Sequence, residues 1–355
     1  MGIIGAPPGL AAEWRTLAPE FAGFRSDMGD LLDRQMSENA YPGLHSVLIV
    51  RRGSLIFERY FEGADERWGE PLGTVRYAQH MLHDVRSVTK SVVGLLYGIA
   101  LSHGLVPPTS ARILDQFPEY PDLAADPFRR RMTIAHALSM RLGISWHEDF
   151  TYSDPSNGER EMEAASDRYR YILGRDALEP PGRIWTYCGG ATALLGRIIA
   201  KGTNTRLERF ARAKLFDPLG ITGFEWVNGS DGEAASSSGL RLRPRDAAKL
   251  GQMILGRGQW QGRQIVPKDW LLQSFKPRAV VESDLGYGYH WWLGKLISGG
   301  KPWYGAFGNG GQRLLIIPSL DMVAVIMAGN NNRNDQWKMP VKLMSKLVIA
   351  SLAAG

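Results

Sequence analysis

The chain has one cysteine among its 355 residues and no long run of apolar residues. A single thiol excludes an intramolecular disulfide and a cluster of thiolate metal ligands. A membrane-spanning helix needs about 20 consecutive apolar residues, so we expect no membrane span. The N-terminus lacks the basic and apolar regions of a secretory signal. This predicts a cytoplasmic protein, or a periplasmic one if a leader has been trimmed from the sequence.

Histidines and basic residues occur in patterns that argue against two kinds of ligand. The seven histidines form no His-Glu-x-x-His motif. His80 and His83 can share a predicted helix face, but no third ligand stands nearby, so we expect no metal and no cofactor. The net charge of +6 comes from scattered basic residues. The densest run, 129–131, predicts a solvated helix face, and we expect no nucleic-acid partner. No pattern sets an oligomeric state.

The order of apolar patterns predicts a sheet whose strands come from both ends of the chain. Residues 45–61 predict a hairpin with its turn at Arg52-Gly53, and a mainly helical stretch follows from Ser87 to about residue 226. The remaining predicted elements are helix 244–255, strands 288–293, 312–317 and 322–328, and a closing helix 340–354.

These elements predict an α/β (α+β) fold in which helices flank an antiparallel sheet. We expect residues 1–86 and 235–355 to form the sheet domain and residues 87–234 to form an inserted, mainly helical domain. The active site is expected in the cleft between the two domains.

Ser87-Val88-Thr89-Lys90 stands where a polar, extended segment meets an apolar run typical of a buried helix. In a helix Ser87 and Lys90 share one face, and a helix N-terminus favours negative charge on a serine oxygen. Burial can leave such a lysine able to take the serine proton, so the pattern points to covalent acyl transfer. The short motif is weak evidence alone. A second copy, Ser298 to Lys301, contains a Gly pair that predicts a hairpin loop without a shared face.

The chain resembles the serine β-lactamases and penicillin-recognising enzymes over nearly its whole length. Residues 84–91 resemble the first motif of that family, and Tyr187 stands where the second motif, Tyr-x-Asn, is expected. Four further segments match family landmarks in order: 132–140, 191–199, 238–240 and 305–318. The loop 140–150 and the Tyr187-Cys188 pair are similar to the branch of class C β-lactamase-like esterases and 6-aminohexanoate-dimer (nylon-oligomer) hydrolases. The resemblance implies a β-lactamase/transpeptidase-like fold.

The resemblance also implies an acyl-enzyme mechanism with Ser87 as nucleophile and Lys90 and Tyr187 as general base and then acid. An unperturbed phenol has a pKa of about 10 and is a poor base at neutral pH. Next to the charge of Lys90 its phenolate is favoured, so we expect the pair to share the deprotonation of Ser87. Cys188 is expected to pack in the core and not to act as a nucleophile.

The third family motif, Lys-Thr-Gly or His-Thr-Gly, aligns with Ala306-Phe307-Gly308. The resemblance then places the two oxyanion-hole amides on Ser87 and Asn309, while Gly308 lets a substrate approach the backbone closely. An alternative register places the second amide on Gln312.

Aromatic residues are candidates for an apolar acyl or alcohol pocket, with core packing as the alternative for each. They are Trp146, Trp185, Trp291 and Trp292. Phe150 stands in the loop position where the esterase branch usually has a tyrosine, and its missing hydroxyl disfavours amidase activity.

Three departures from the family bear on the substrate. Gly189 replaces the Asn of Tyr-x-Asn, Ala306 replaces the Lys or His of the third motif, and no counterpart of the class A glutamate stands out. Losing a buried charge-assisted hydrogen bond costs about 2–3 kcal/mol, which disfavours substrates that carry a carboxylate. We therefore predict an esterase, with amides as secondary substrates, that acts on small uncharged acyl compounds. The alternatives are a β-lactamase or D-alanyl-D-alanine carboxypeptidase-like enzyme, and a binding protein that has kept the fold and lost turnover.

Overall fold

The computed structural model describes residues 14–148, 151–152, 154–296 and 299–352. Within these ranges the chain forms fifteen strands and eleven α-helices. The strands are β1 (Leu44–Arg51), β2 (Ser54–Tyr60), β3 (Glu62–Arg67), β4 (Glu70–Arg76), β5 (His83–Asp84), β6 (Glu225–Trp226), β7 (Leu240–Leu242), β8 (Gln259–Trp260), β9 (Arg263–Gln264), β10 (Ala279–Glu282), β11 (Leu285–Tyr287), β12 (Trp292–Lys295), β13 (Pro302–Gly308), β14 (Gln312–Ile317) and β15 (Met322–Ala328). The helices are α1 (Met28–Ser37), α2 (Val88–Ser102), α3 (Pro121–Ala124), α4 (Ile134–Leu138), α5 (Gly158–Ala164), α6 (Arg168–Leu173), α7 (Gly189–Thr203), α8 (Leu207–Ala211), α9 (Pro244–Leu255), α10 (Lys268–Ser274) and α11 (Lys338–Leu343).

Strands from both ends of the chain form one eight-stranded sheet in the order β10-β11-β12-β13-β14-β15-β1-β2. Every neighbouring pair is antiparallel. The N-terminal β1 pairs with the C-terminal β15, and both are buried along almost their whole length. Their side chains alternate between two apolar clusters, one on each face of the sheet. Val47 and Ile49 pack with α1 and α11, while Leu48 and Val50 pack with α2 and α9.

Helix α2 lies at the centre of the helical region, and thirteen of its fifteen residues are buried. A helix that is apolar all round needs neighbours on every side, and α2 meets α7 on one side and β13 and β14 on another. Gly98 is required for this packing, because a Cβ there would overlap the Trp270 ring. Trp270 Nε1 in turn donates a hydrogen bond to the Gly94 carbonyl at 2.9 Å. These contacts fix the middle of α2 against Trp270.

The predicted mixed fold with a large antiparallel sheet is confirmed. The hairpin, helix 244–255 and strands 312–317 and 322–328 also form as predicted. The closing helix runs over α11 and continues through Met344–Ile349. None of the described helices combines the length and the apolar character that crossing a membrane requires. The division into a sheet domain and an inserted helical domain stays a prediction.

Two local predictions are wrong. Residues 288–291 form a turn and not a strand, because His290 adopts a φ of +59°, and β12 begins only at Trp292. His83 lies in the short strand β5, so it shares no helix face with His80. The prediction also lacked the β3–β4 hairpin. Ser298 of the second Ser-x-x-Lys copy lies outside the described residues.

Candidate active site

Ser87 occupies the position just before the first turn of α2. Strand β5 reaches it through Arg86, whose φ of +49° lies in the left-handed region that residues with a side chain seldom adopt. Such a backbone costs about 1–3 kcal/mol and persists only where the surroundings impose it. Here the Arg86 guanidinium pairs with Glu66 and lies 3.5 Å from Asp84 Oδ2. The sharp turn presents the Ser87 hydroxyl to a cleft of about 680 Å³.

Lys90 lies one turn into α2 with its ammonium group directed at Ser87. Its Nζ is 2.9 Å from Ser87 Oγ, 3.2 Å from Glu148 Oε1 and 3.3 Å from the Ser237 carbonyl oxygen. Carbonyl and carboxylate oxygens only accept hydrogen bonds. An ammonium can therefore donate to all three oxygens, and a neutral amine can donate to Glu148 and Ser237 while accepting the Ser87 proton. The geometry suits both protonation states of Lys90.

Two buried glutamates face Lys90, and the sequence analysis missed both. Glu148 lies in the loop that follows Trp146, and Glu159 lies in the first turn of α5. Each side chain is 2% exposed. Glu148 Oε2 accepts hydrogen bonds from Trp146 Nε1 at 2.7 Å and from the Gly189 amide. Glu159 accepts hydrogen bonds from three hydroxyl groups, those of Tyr152, Ser237 and Ser238.

Their surroundings shift the pKa values of the two glutamates in opposite directions. Burial raises the pKa of Glu148 to about 7, although the charge of Lys90 opposes the shift. Burial also acts on Glu159, but the charge of Lys90 and the three hydroxyl donors outweigh it and lower the pKa of Glu159. Burial alone would lower the pKa of Lys90, yet Glu148, Tyr187 and Glu159 together raise it well above its usual value. The resting cluster thus contains an ammonium, one firm carboxylate and one carboxyl group that titrates near neutrality.

Tyr187 lies over Lys90, with Nζ 4.8 Å from the ring centroid, and its hydroxyl is hydrogen-bonded to Ser87. The charge of Lys90 favours the Tyr187 phenolate, as expected, by lowering the pKa of Tyr187, but burial outweighs this effect. Burial raises the pKa of Tyr187 by more than the charge of Lys90 lowers it, and Glu148 adds to the increase. Tyr187 is therefore a neutral phenol in the resting cluster, able to donate a proton.

Gly189, where the family has asparagine, is explained by the two glutamates. A Cβ on Gly189 would lie 3.0 Å from Glu148 Oε2 and 3.1 Å from Glu159 Oε2. The carboxylates therefore fill the space that an asparagine side chain would occupy. In the sequence, Gly189 pointed to the two glutamates. A buried lysine needs a polar or charged partner, so another group must pair with Lys90 when the asparagine is absent.

The end of β13 forms one wall of the cleft. Gly308 and Asn309 line it, and Gly308 packs so closely on the Val85 carbonyl that any Cβ would overlap it. The Asn309 side chain exchanges hydrogen bonds with Asn332 across the cleft wall, at 3.0 and 2.9 Å. Gln312 is 1% exposed behind this wall, where its amide bonds the backbone of Ala328. Of the two registers for the third motif, this arrangement favours Asn309.

Of the four candidate tryptophans, Trp292 lines the cleft. Its ring stacks on Phe307 with centroids 5.4 Å apart and also meets Tyr187 at 5.8 Å. Trp185 supports Trp292 from behind at 5.7 Å. The other two are buried: Trp291 packs on Phe275, and Trp146 bonds Glu148. Phe150 lies outside the described residues. Cys188 is 2% exposed in the core, and burial raises the pKa of its thiol.

Arg313 on β14 is a cation in the cleft that the sequence analysis also missed. It sits opposite Phe307 in the sheet, and its guanidinium lies 4.4 Å from the centroid of that ring. Its Nη1 donates to the Gln312 carbonyl at 2.8 Å and, at 3.4 Å, to the Gly308 carbonyl. Burial lowers its pKa to about 10, so the group is charged at neutral pH. A cation is therefore present in the cleft despite Ala306.

An antiparallel sheet, a buried helix that begins with Ser-x-x-Lys and a cleft between them define a hydrolase of the β-lactamase fold. The beta-lactamase family model matches residues 28–341, and the chain belongs to that family. It is similar to a 6-aminohexanoate-dimer hydrolase of Paenarthrobacter ureafaciens, at 23% identity over 78% of this chain and 70% of that protein. It is 30% identical to a lovastatin esterase of Penicillium rubens, over 38% of this chain and 33% of the esterase.

A solved structure, described as a putative 6-aminohexanoate-dimer hydrolase from Bacillus anthracis, superimposes with a TM-score of 0.75 at 19% identity. The match covers 97% of this chain and 88% of that chain. At this identity the likeness concerns the fold alone.

Proposed function

We propose that this protein is a serine hydrolase that forms an acyl-enzyme on Ser87 and acts mainly as an esterase. The observation that supports this most directly is the 2.9 Å contact between Lys90 Nζ and Ser87 Oγ at the floor of an open cleft. A nucleophile within hydrogen-bond reach of its base, with the base oriented by a third group, is the arrangement that covalent catalysis needs. Glu148 is the orienting group.

The protonation states of Lys90 and Glu148 support a short series of proton transfers. Lys90 rests as an ammonium, so it must lose a proton before it can accept one from Ser87. Glu148 Oε1 lies 3.2 Å from Nζ and, when ionised, is placed to take that proton, in an uphill step that the attack on the ester draws forward. The freed lone pair then accepts the Ser87 proton as the oxygen attacks the ester carbonyl. The neutral Tyr187 phenol, hydrogen-bonded to Ser87, is placed to protonate the departing alkoxide and to regain a proton from the Lys90 ammonium. Water then hydrolyses the acyl-enzyme and returns Ser87 to its free form.

The backbone at the end of β13 is proposed to stabilise the oxyanion that forms when Ser87 attacks. The amides of Ser87 and Asn309 are the proposed oxyanion donors, which stabilise the negative charge that develops on the carbonyl oxygen. The Asn309 side chain donates to Asn332 Oδ1 and accepts from the Asn332 backbone amide, and these two hydrogen bonds hold Asn309 in place. A donor that is fixed in advance needs no reorganisation during the reaction.

The cleft and the relatives support esters as the main substrates. Trp292, Phe307 and Trp337 give the cleft apolar surface suited to an acyl chain or an aromatic alcohol. The relatives include an esterase and a hydrolase of an amide dimer. An alkoxide leaves more readily than an amine, so amides are the harder substrates for a single phenolic acid.

Labelling with a fluorescent fluorophosphonate tests this proposal. We expect one equivalent of label on the native protein, mapped to Ser87 by peptide mass spectrometry, with loss of p-nitrophenyl butyrate hydrolysis in proportion to labelling. The matched control is Ser91→Ala. Ser91 is a buried serine one turn further along α2, and its hydroxyl donates to the His290 carbonyl. That variant should label normally. A native protein that binds substrate but takes no label would instead be a binding protein.

Activity should fall as the pH falls below about 7. The relay needs ionised Glu148, whose pKa is raised to about 7, so the competent form is present above that pH and is lost tenfold per unit below it. In Glu148→Gln the amide oxygen still accepts from Trp146 and Gly189, but no group takes the lysine proton. We expect kcat to drop by about 100-fold and the acid limb near pH 7 to disappear. A pH–rate profile from pH 5 to 9 measures both. An unchanged limb in Glu148→Gln would show that another group titrates.

Arg313 supports a second candidate, an enzyme for substrates with a carboxylate, such as a β-lactam or a D-alanyl peptide. Arg313 lines the cleft and is charged, whereas the sequence argument against such substrates counted the loss of the third-motif cation at Ala306 among its three departures. Nitrocefin hydrolysis decides between the candidates. Under the esterase proposal, nitrocefin turnover is at least about 1000-fold less efficient than p-nitrophenyl butyrate turnover, and Arg313→Gln changes neither rate by more than a few fold. Fast nitrocefin turnover by the native protein, lost in Arg313→Gln because KM increases, would favour the second candidate.

A further inference from the structure

Three metal-ligating side chains from three strands meet outside the cleft that Ser87 lines. They are His45 on β1, Asp65 on β3 and His83 on β5. All three residues are buried, and one ligand atom of each lies within 4.8 Å of the others. His45 Nδ1 is 2.9 Å from His83 Nε2, and His83 Nε2 is 3.8 Å from Asp65 Oδ1.

The outer nitrogen of each imidazole faces a backbone carbonyl. His83 Nδ1 is 2.8 Å from the Asp84 oxygen, and His45 lies against the Ala64 carbonyl, although its Nε2 makes no well-aligned hydrogen bond there. A carbonyl oxygen only accepts, so His83 carries its ring hydrogen on Nδ1 and its Nε2 directs a lone pair at His45 Nδ1. His45 Nδ1 can meet that lone pair with its own ring hydrogen, or both nitrogens can bind one metal ion.

Asp65 adds a third acceptor to the same point. Its Oδ2 accepts a hydrogen bond from the Tyr77 hydroxyl, whereas the buried Oδ1 accepts none from the described residues. The Asp65 side chain is 0% exposed. One ligand atom of each residue thus lies at the same buried point. Either a ring hydrogen of His45 or a metal ion joins the two inner nitrogens there.

We propose that this cluster, His45–Asp65–His83, binds a divalent transition-metal ion of the zinc class. Two imidazoles and a carboxylate are a common zinc ligand set, with a water in the fourth position. Two of the ligands have an outer partner that orients them, the Tyr77 hydroxyl for Asp65 and the Asp84 carbonyl for His83, as zinc ligands in proteins normally do.

Binding a metal requires only a small adjustment of the two imidazoles, and glycines flank one of them. Two nitrogens at zinc distance in a tetrahedral site are about 3.3 Å apart, so the imidazoles need to separate by a few tenths of an ångström from their 2.9 Å contact. The His45 ring packs between Gly63 and Gly329, and a Cβ on either glycine would lie 2.5 Å from a ring atom. Glycine at both positions keeps the space around the ring clear.

A metal here would act on the fold and not on the substrate. None of the three ligands lines the cleft, so the ion would join β1, β3 and β5 and fix the strand that leads through Arg86 to Ser87. The sequence predicted no metal because the ligands come from positions 45, 65 and 83, with no short spacing to reveal them.

Cobalt titration of tag-free protein, first treated with a chelator, tests the proposal. We expect one equivalent of Co²⁺ to bind with the intense visible bands of a tetrahedral site, and Zn²⁺ to displace it. Excess Zn²⁺ should raise Tm by roughly 3–8 °C, because the ion binds the folded state only. Elemental analysis of the protein as purified should show zinc near one equivalent.

Asp65→Asn and His45→Gln remove single ligands, and His80→Gln changes an exposed histidine close by in the chain. We expect the first two to lose at least about 100-fold in Co²⁺ affinity and His80→Gln to match the native protein. Equal binding by Asp65→Asn and the native protein would overturn the proposal. If the ligand variants fail to fold, the native protein decides. An absence of Co²⁺ bands and of any Zn²⁺ effect on Tm would overturn the proposal and mean that a ring hydrogen joins the two imidazoles.

Discussion

Replacing Ser87 with alanine should lower kcat/KM for p-nitrophenyl butyrate by at least about 10⁴-fold. The change removes the atom that forms the acyl-enzyme, and Lys90, Glu148 and Tyr187 then have no nucleophile to serve. In serine hydrolases the residual rate comes from the oxyanion hole and from substrate binding, and the members of a catalytic set act as a unit. Stability should barely change, because the substitution deletes one hydroxyl group at the edge of a cleft.

Steady-state kinetics on the native protein, Ser87→Ala and Ser91→Ala provide the measurement. Ser91→Ala loses a buried hydrogen bond to the His290 carbonyl, so its free energy of unfolding should fall by about 1 kcal/mol while kcat/KM stays within a few fold of the native value. If Ser87→Ala hydrolyses the ester as fast as the native protein does, Ser87 is not the nucleophile and the proposed function fails.

Lys90→Met should lower both activity and stability. Methionine keeps most of the volume but removes the cation that faces Glu148 and Glu159 at 3.2 and 3.7 Å. Without it Ser87 has no base, and we expect kcat to fall by at least about 1000-fold. Two buried carboxyl groups also lose their partner. Breaking a buried ion pair by removing one member costs about 3–5 kcal/mol.

The stability loss in Lys90→Met should depend on pH in a defined direction. In this variant burial raises the folded-state pKa of both carboxyl groups above their unfolded values. The folded state therefore takes up protons as the pH falls, and the penalty present at pH 8 shrinks toward pH 5. Urea unfolding at pH 5, 6.5 and 8 measures this trend. A loss of stability that stays constant across that range would contradict the assignment of the penalty to the glutamates.

Lys249→Met separates the effect on stability from the effect on catalysis. Lys249 is also a buried lysine, and it donates to the Gly220 carbonyl at 2.8 Å and pairs with Asp246 at 3.0 Å on α9, away from the cleft. Its replacement should destabilise the fold but leave kcat near the native value. An equal loss of activity in both variants would mean that Lys90 acts through the stability of the fold alone.

Local patterns in the sequence predicted much of the fold. Strands such as β14 and β15 and the helix α9 were predicted with their observed bounds, because apolar periodicity and flanking turns are local signals. The turn at 288–291 was predicted wrongly because its aromatic residues favour a strand, whereas the positive φ of His290 is imposed by packing. The ordered motifs around Ser87 and Tyr187 also sufficed to predict the class of hydrolase.

Protonation states were outside the reach of the sequence. Lys90, Tyr187 and Ser87 could be named from their motifs, but the net pKa of each group depends on burial and on charges that the fold brings from elsewhere. Glu148 and Glu159 stand 58 and 69 residues after Lys90, and Arg313 stands 126 residues after Tyr187. Electrostatic interactions act over a few ångströms of space and ignore distance along the chain. The sequence alone therefore established the fold class and the candidate nucleophile. The tertiary structure decided which carboxyl groups meet Lys90, which cation lies beside Phe307 in the cleft, and which three side chains meet in the buried cluster of His45, Asp65 and His83.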